Sequence, residues 1–127
     1  MYTFLVDRCL GRYTVPEALR ALGHGVELHS DHFTAREQDD SEWLALAGSN
    51  GWVVLSGDNM VRHADIELQA VKDHRVRYFA FRNNNISGQD QAQLLRKHDS
   101  LIRQILSARS PPFIARITRN SVRIVFP

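Results

Sequence analysis

Three aspartates carry the chemistry open to this chain. Asp7 closes the apolar run Phe4-Leu5-Val6, and Asp58 follows the run Trp52-Val53-Val54-Leu55 after a short Ser56-Gly57 turn. Asp40 stands at the start of a helical segment between them. With the two runs as neighbouring parallel strands, all three carboxylates reach one edge of one sheet. Ligands of open α/β sheets bind at that edge, beyond the carboxyl ends of the strands. Carboxylates gathered there repel one another, and a divalent cation relieves the repulsion. Oxygen donors without histidine or thiolate partners select Mg²⁺ or Mn²⁺. Such an ion stabilises charge at a phosphate and activates water for in-line attack. The chemistry implied is phosphodiester hydrolysis. Glu42, two residues into the same helix as Asp40, is an additional candidate acid.

Each acid also has a duller use. Asp40 can cap its helix by accepting from free backbone N–H groups, a role worth about 0.5–2 kcal/mol. Asp58 can be a turn residue after Ser-Gly. A charge placed directly after a buried strand, as at Asp7, is better explained by function. Glu17 is the natural capping-box partner of Thr14 and stays out of the ligand set. Asp39 reads as a loop charge.

Arginine is the other residue type with a chemical use here, because its planar fork can bind two phosphate oxygens. Arg8 and Arg12 adjoin the acidic edge, Arg62 follows Asp58, and Arg82 follows the fourth strand on the same side. These four are the candidate phosphate contacts. Arg96, Lys97 and Arg103 are expected on the solvated face of a long helix. The six histidines show no metal-ligand spacing. His98 is expected as a packed core residue, and His63, just past Asp58, carries only a weak signal for substrate contact. Cys9 is the single cysteine, which rules out an internal disulfide. It reads as a small buried side chain.

The elements that must position these groups are legible in the apolar spacing. Residues 2–6 form a short buried strand. Thr14-Val15-Pro16-Glu17 opens a helix with an apolar face of Val15, Ala18, Leu19 and Leu22, and Gly23 is placed to stop it. Residues 25–29 form a second strand, followed by a polar loop over 30–39. A helix over 41–48 takes Asp40 as its N-cap. Residues 52–55 form the third strand, 60–73 a helix, and 76–81 the fourth strand. Ser87-Gly88-Gln89-Asp90 caps the longest helix, 89–108, whose stripe includes Leu94, Leu95, His98, Leu101, Ile102, Ile105 and Leu106. Two alternating segments, 113–118 and 121–126, make a C-terminal β-hairpin. Strands alternating with helices predict a mainly parallel sheet covered on both faces, a three-layer α/β/α sandwich.

The 127 residues fit one domain, 1–127, with the hairpin appended. At 43% hydrophobic and 24% charged, the composition is that of an ordinary soluble chain. No stretch suits a membrane helix and none reads as a signal peptide, so the expected location is the cytoplasm. The net charge of +2 hides an asymmetry. Residues 1–58 hold four Arg/Lys and nine Asp/Glu, whereas residues 59–127 hold twelve and five. An acidic half beside a basic half suits a metal site next to a polyanion-binding face.

The segments Phe4-Leu5-Val6-Asp7-Arg8-Cys9-Leu10 and Pro16-Glu17-Ala18-Leu19-Arg20-Ala21-Leu22-Gly23-His24 resemble the opening of PIN-like domains of the VapC toxin type. Asp40-Ser41-Glu42-Trp43-Leu44 and Gly51-Trp52-Val53-Val54-Leu55-Ser56-Gly57-Asp58 are similar to that family's second and third acidic positions. The resemblance covers residues 3–82, and Pro112-Phe113-Ile114-Ala115-Arg116 resembles the tail of one small branch. It implies a PIN-like fold and a Mg²⁺- or Mn²⁺-dependent ribonuclease. It further implies a toxin whose antitoxin partner occludes the acidic edge, with Asp7, Asp40 and Asp58 as metal ligands. Many relatives read Thr-x-Asp-x-Asp at the third acidic site. Here the run is Ser56-Gly57-Asp58-Asn59-Met60, so the second acid is missing. A one-metal or weak enzyme follows from that departure, or a PIN-like module that binds RNA or protein without turnover. A homodimer through the hairpin edge is a further expectation. Receiver-type signalling domains also place acids after strands one and three. They carry an acidic pair after the first strand and a lysine after the fifth, and this chain has neither.

Overall fold

The computed structural model describes residues 2–32, 40–57, 64–82 and 86–127, and within them the side chains of all but residues 40, 41 and 64–67. Six strands form one sheet: β1 (Thr3–Val6), β2 (Gly25–Leu28), β3 (Val53–Ser56), β4 (Arg77–Phe81), β5 (Phe113–Ile117) and β6 (Val122–Phe126). Their order across the sheet is β2-β1-β3-β4-β5-β6. The first five run parallel, and β6 returns antiparallel beside β5, ending opposite the start of that strand. The helices are α1 (Thr14–Ala21), α2 (His29–His32), α3 (Asp40–Asn50), α4 (Ala64–His74) and α5 (Gly88–Ala108). This is the expected α/β sandwich with its C-terminal hairpin.

Alternation along the strands divides the core in two. Phe4, Val6, Val53, Leu55, Phe79, Phe81, Phe113 and Ile117 face α1 and α5, where they meet Val15, Leu19, Leu95, Ile102 and Leu106. Leu5, Val54, Tyr78 and Ile114 face the other way, against Trp43, Leu44 and Ala47 of α3 and Ala70 and Val71 of α4. Strands buried on both faces need continuous apolar runs, which is why β1 and β3 show them. Phe79 and Phe113 meet edge to face at 5.6 Å, a pairing worth about 0.5–1.5 kcal/mol beyond its buried area.

Helix ends follow the sequence in two cases and depart from it in a third. Gly23 at φ +92° ends α1, with the His24 N–H bonded to the Leu19 carbonyl at 3.0 Å and the Gly23 N–H to that of Arg20 at 3.0 Å. The Ser87 hydroxyl accepts from the Asp90 N–H at 3.1 Å and starts α5. The Thr14–Glu17 capping box does not form. Tyr13 is the N-cap of α1 and no side chain caps it. The helix starts one residue early because the Tyr13 carbonyl takes the Glu17 N–H at 2.8 Å.

The remaining differences are local. The segment expected as a loop from residue 30 begins with the helical turn α2. Asp40 is the first residue of α3. Cys9 is exposed, not buried, because it lies on a 3₁₀ turn, Arg8–Leu10, whose buried member is Leu10. His98 is buried as expected, and its Nε2 donates to the Thr118 carbonyl at 2.9 Å.

Arg103 is not a solvated residue. Its Nε donates to Asp99 Oδ2 at 2.8 Å and its Nη2 to the Leu22 carbonyl. His24 Nε2 donates to the other oxygen of Asp99 at 2.9 Å. Burial pushes the Asp99 carboxyl up, but hydrogen bonds and charge from His24 and Arg103 outweigh it and hold the group below its ordinary value. The network fastens α5 to the end of α1. Lys97 is exposed, as expected, and its Nζ donates to the Arg119 carbonyl at 2.8 Å.

Candidate active site

Strand order reverses at β1. The chain leaves β1 for β2 on one side and returns to the other side as β3. A crevice at the carboxyl edge is expected at such a switch point, and Asp7 is the first residue past β1 there. Its backbone N–H donates to the Leu55 carbonyl of β3 at 2.9 Å, which fixes the main chain. Val6 is in register with Leu55 of β3 and with Leu28 of β2, so the next row across the edge is His29, Asp7 and Ser56.

Ser56 is the candidate site residue that sequence reasoning missed. Its place before Gly57 suggests a turn, but it is the last residue of β3 and fully buried. Its hydroxyl donates to Asp7 Oδ2 at 2.8 Å, holding the half-buried carboxylate at the crevice. The available signal was a polar residue continuing an apolar strand in register with an acid.

The crevice is a recess of about 250 Å³, lined by Val6, Asp7, Arg8, Gly11, Arg12, Leu28, His29 and Ser30. Gly11, at φ +81°, turns the chain around its rim after the 3₁₀ turn. Arg8 and Arg12 both line the recess. Arg12 is held there by Ser30 Oγ at 2.7 Å and Asp31 Oδ1 at 3.3 Å. Both side chains of that ion pair are about half exposed, so it adds about 0–1 kcal/mol. The His29 ring stands edge-on to Trp43 at 5.3 Å, joining the recess to the first turns of α3.

The remaining candidates are distributed as follows. Asp40 begins α3, on the sheet face toward which Leu5 and Asp7 alternate, and its side chain lies outside the described residues. Glu42 is exposed on the same helix. Asp58, Arg62 and His63 lie outside the described residues. Arg82 does not share the recess. It follows β4 and lines a larger, separate cleft. Among the described residues, no group of three or more His, Cys, Asp or Glu forms a metal site. The oxygen donors that line the recess, the Asp7 carboxylate and the Ser30 hydroxyl, are hard ligands that fit Mg²⁺ or Mn²⁺ better than a soft metal, and the His29 imidazole lies beside them.

A mainly parallel sheet with helices on both faces and an acid at its switch point defines an open α/β class with a ligand crevice at that edge. The family model described as "PIN like domain" matches residues 2–83, from β1 through β4. The chain belongs to that family. It is also 31% identical over 121 residues to "Putative ribonuclease VapC45" of Mycobacterium tuberculosis (strain ATCC 25618 / H37Rv), an alignment covering 92% of this chain and 86% of the relative. The resemblance to VapC-type PIN domains is thereby shown. No solved structure gives a significant match.

Proposed function

We propose that this protein is a metal-dependent endoribonuclease and the toxin of a toxin–antitoxin pair. The observation that carries the reading is Asp7, held by Ser56 at the switch point of a PIN-like sheet. A chain-long likeness to a relative named as a ribonuclease supports it. Asp7, Asp40 and Asp58 would hold a Mg²⁺ or Mn²⁺ ion, with Glu42 as an additional acid. That ion supplies charge stabilisation at the scissile phosphate and acidifies water. Ser56 keeps the Asp7 carboxylate turned into the recess. Arg8, Arg12, Arg62 and Arg82 contact RNA phosphates, and the basic second half of the chain attracts the polyanion. The antitoxin is a protein that covers the recess. No described helix is long and apolar enough to cross a membrane, and the proposed place of action is the cytoplasm, on cellular RNA.

Position 60 favours a second reading. Met60 stands where many relatives carry a second acid, so a weakly active or inactive module that binds RNA or a partner is the alternative. The test is cleavage of RNA by purified protein freed of any antitoxin, with Mg²⁺ or Mn²⁺. Cleavage that disappears in Asp7→Ala and Asp58→Ala supports the enzyme. RNA binding without turnover across a range of metals supports the module.

A further inference from the structure

The recess at Asp7 is not the largest opening in the molecule. A cleft of about 1010 Å³ lies between the end of β4, the first half of α5 and the tip of the β5–β6 hairpin. Arg82, Lys97 and Arg119 line it, with Asp90 as its one acid among the described residues. Ile86, Leu94 and Ile117 give it an apolar floor, and Gln93 and Asn120 add side-chain amides.

The cleft is rigidly framed. Lys97 Nζ donates to the Arg119 carbonyl at 2.8 Å, and the buried His98 donates to the Thr118 carbonyl at 2.9 Å. The Thr118 N–H donates to the Ser121 carbonyl at 2.8 Å and closes the hairpin turn. These bonds lock Arg119 and Asn120 at the rim against α5. The cleft also lies on the same carboxyl edge as Asp7. From β1 to β4 is two strand steps, roughly 10 Å at about 4.8 Å per step.

We infer that this cleft carries the single-stranded RNA that runs on from the Asp7 recess, with a base over the apolar floor and its phosphates on Arg82 and Arg119. The inference rests on the ribonuclease reading and names where its substrate extends. Three cations against one carboxylate select a polyanion. The floor suits the flat face of a base. The amides of Gln93 and Asn120 each offer a donor and an acceptor to a base edge. An acidic peptide would match the charge and is the competing occupant that the binding test separates. Among the described lining residues there is no aromatic platform, so the base is held by apolar contact.

Binding of a fluorescent 12-nucleotide single-stranded RNA to full-length protein carrying Asp7→Asn, without divalent metal, tests the inference. Arg119→Glu weakens binding by about tenfold or more and lowers the salt slope by about 0.7 for each phosphate no longer neutralised. Arg20→Glu makes the same charge change on an exposed part of α1, and it shifts the affinity by less than about twofold at moderate salt. Asn120→Asp repeats the test in a near-isosteric form should Arg119→Glu lower the unfolding midpoint. If both rim variants track Arg20→Glu while the parent binds RNA, the cleft is not the RNA path and the ribonuclease reading survives. If the parent binds no RNA, both readings fall. If the rim variants keep RNA but release a protein that the parent holds, the cleft belongs to that protein and the inference is overturned.

Discussion

The hydroxyl of Ser56 donates a 2.8 Å hydrogen bond to Oδ2 of Asp7, joining two residues that stand 49 positions apart in the chain. The serine is fully buried, so water does not replace the bond when the hydroxyl is removed. Ser56→Ala leaves the carboxylate free to rotate. The expected fall in RNA cleavage is about tenfold, as a hydrogen bond to a charged group is worth roughly 1.5–3 kcal/mol. The Mn²⁺ concentration for half-maximal rate should rise with it. An unchanged metal dependence would show that Ser56 only fills space.

Divalent metal should bind without any RNA present. Mn²⁺ added to the metal-stripped protein is expected to raise its thermal stability, by about 2.7 kcal/mol at one hundred times the dissociation constant. Asp7→Ala, Asp40→Ala and Asp58→Ala should each blunt that rise and stop cleavage. A full rise in all three variants would place the ion elsewhere.

Asp99 makes stability depend on acid. Its carboxyl sits below the ordinary value of 3.8 because His24 and Arg103 outweigh the opposing effect of burial. A carboxylate with a lowered folded pKa stabilises the fold above its unfolded pKa, and the contribution is lost as pH falls through the folded value. Asp99→Asn should therefore cost about 1–3 kcal/mol at neutral pH. The gap between wild type and variant should shrink as pH falls below about 4. Parallel pH–stability curves would refute the link.

Gly48 is where α3 crosses the end of α4. A Cβ there would intrude on the backbone carbonyl of His74. Gly48→Ala favours an isolated helix, yet here it should destabilise by about 1–3 kcal/mol, because backbone must move to admit the methyl. Chemical denaturation measures it, and a neutral or stabilising result would mean that the two helices slide apart without strain.

The sequence revealed most of the fold because its strands alternate between two buried faces and its helices keep a 3.6-residue stripe. Asp7 was legible as the charge that ends a buried run. Ser56 was not, because a serine before glycine reads as a turn until the register with β1 is known. The role of Arg103 was hidden for a related reason. Its carboxylate partner Asp99 is one helical turn away, but His24, which completes the network, is 75 positions from Asp99. The Thr14 capping box fits its sequence pattern and still loses to the Tyr13 carbonyl, since helix starts are decided by which carbonyl first finds an N–H. The division of the basic residues between a small recess and a large cleft depends on where the hairpin tip docks. That docking is set by Lys97 and His98, which local spacing does not disclose.

The antiparallel return of β6 has a practical consequence. β1 enters the sheet, and β6 leaves it, at the end remote from Asp7. A fluorophore, affinity handle or chip linkage fused to either side of the chain would hang from that far side. The protein could then be immobilised with both the recess and the cleft turned toward the solution.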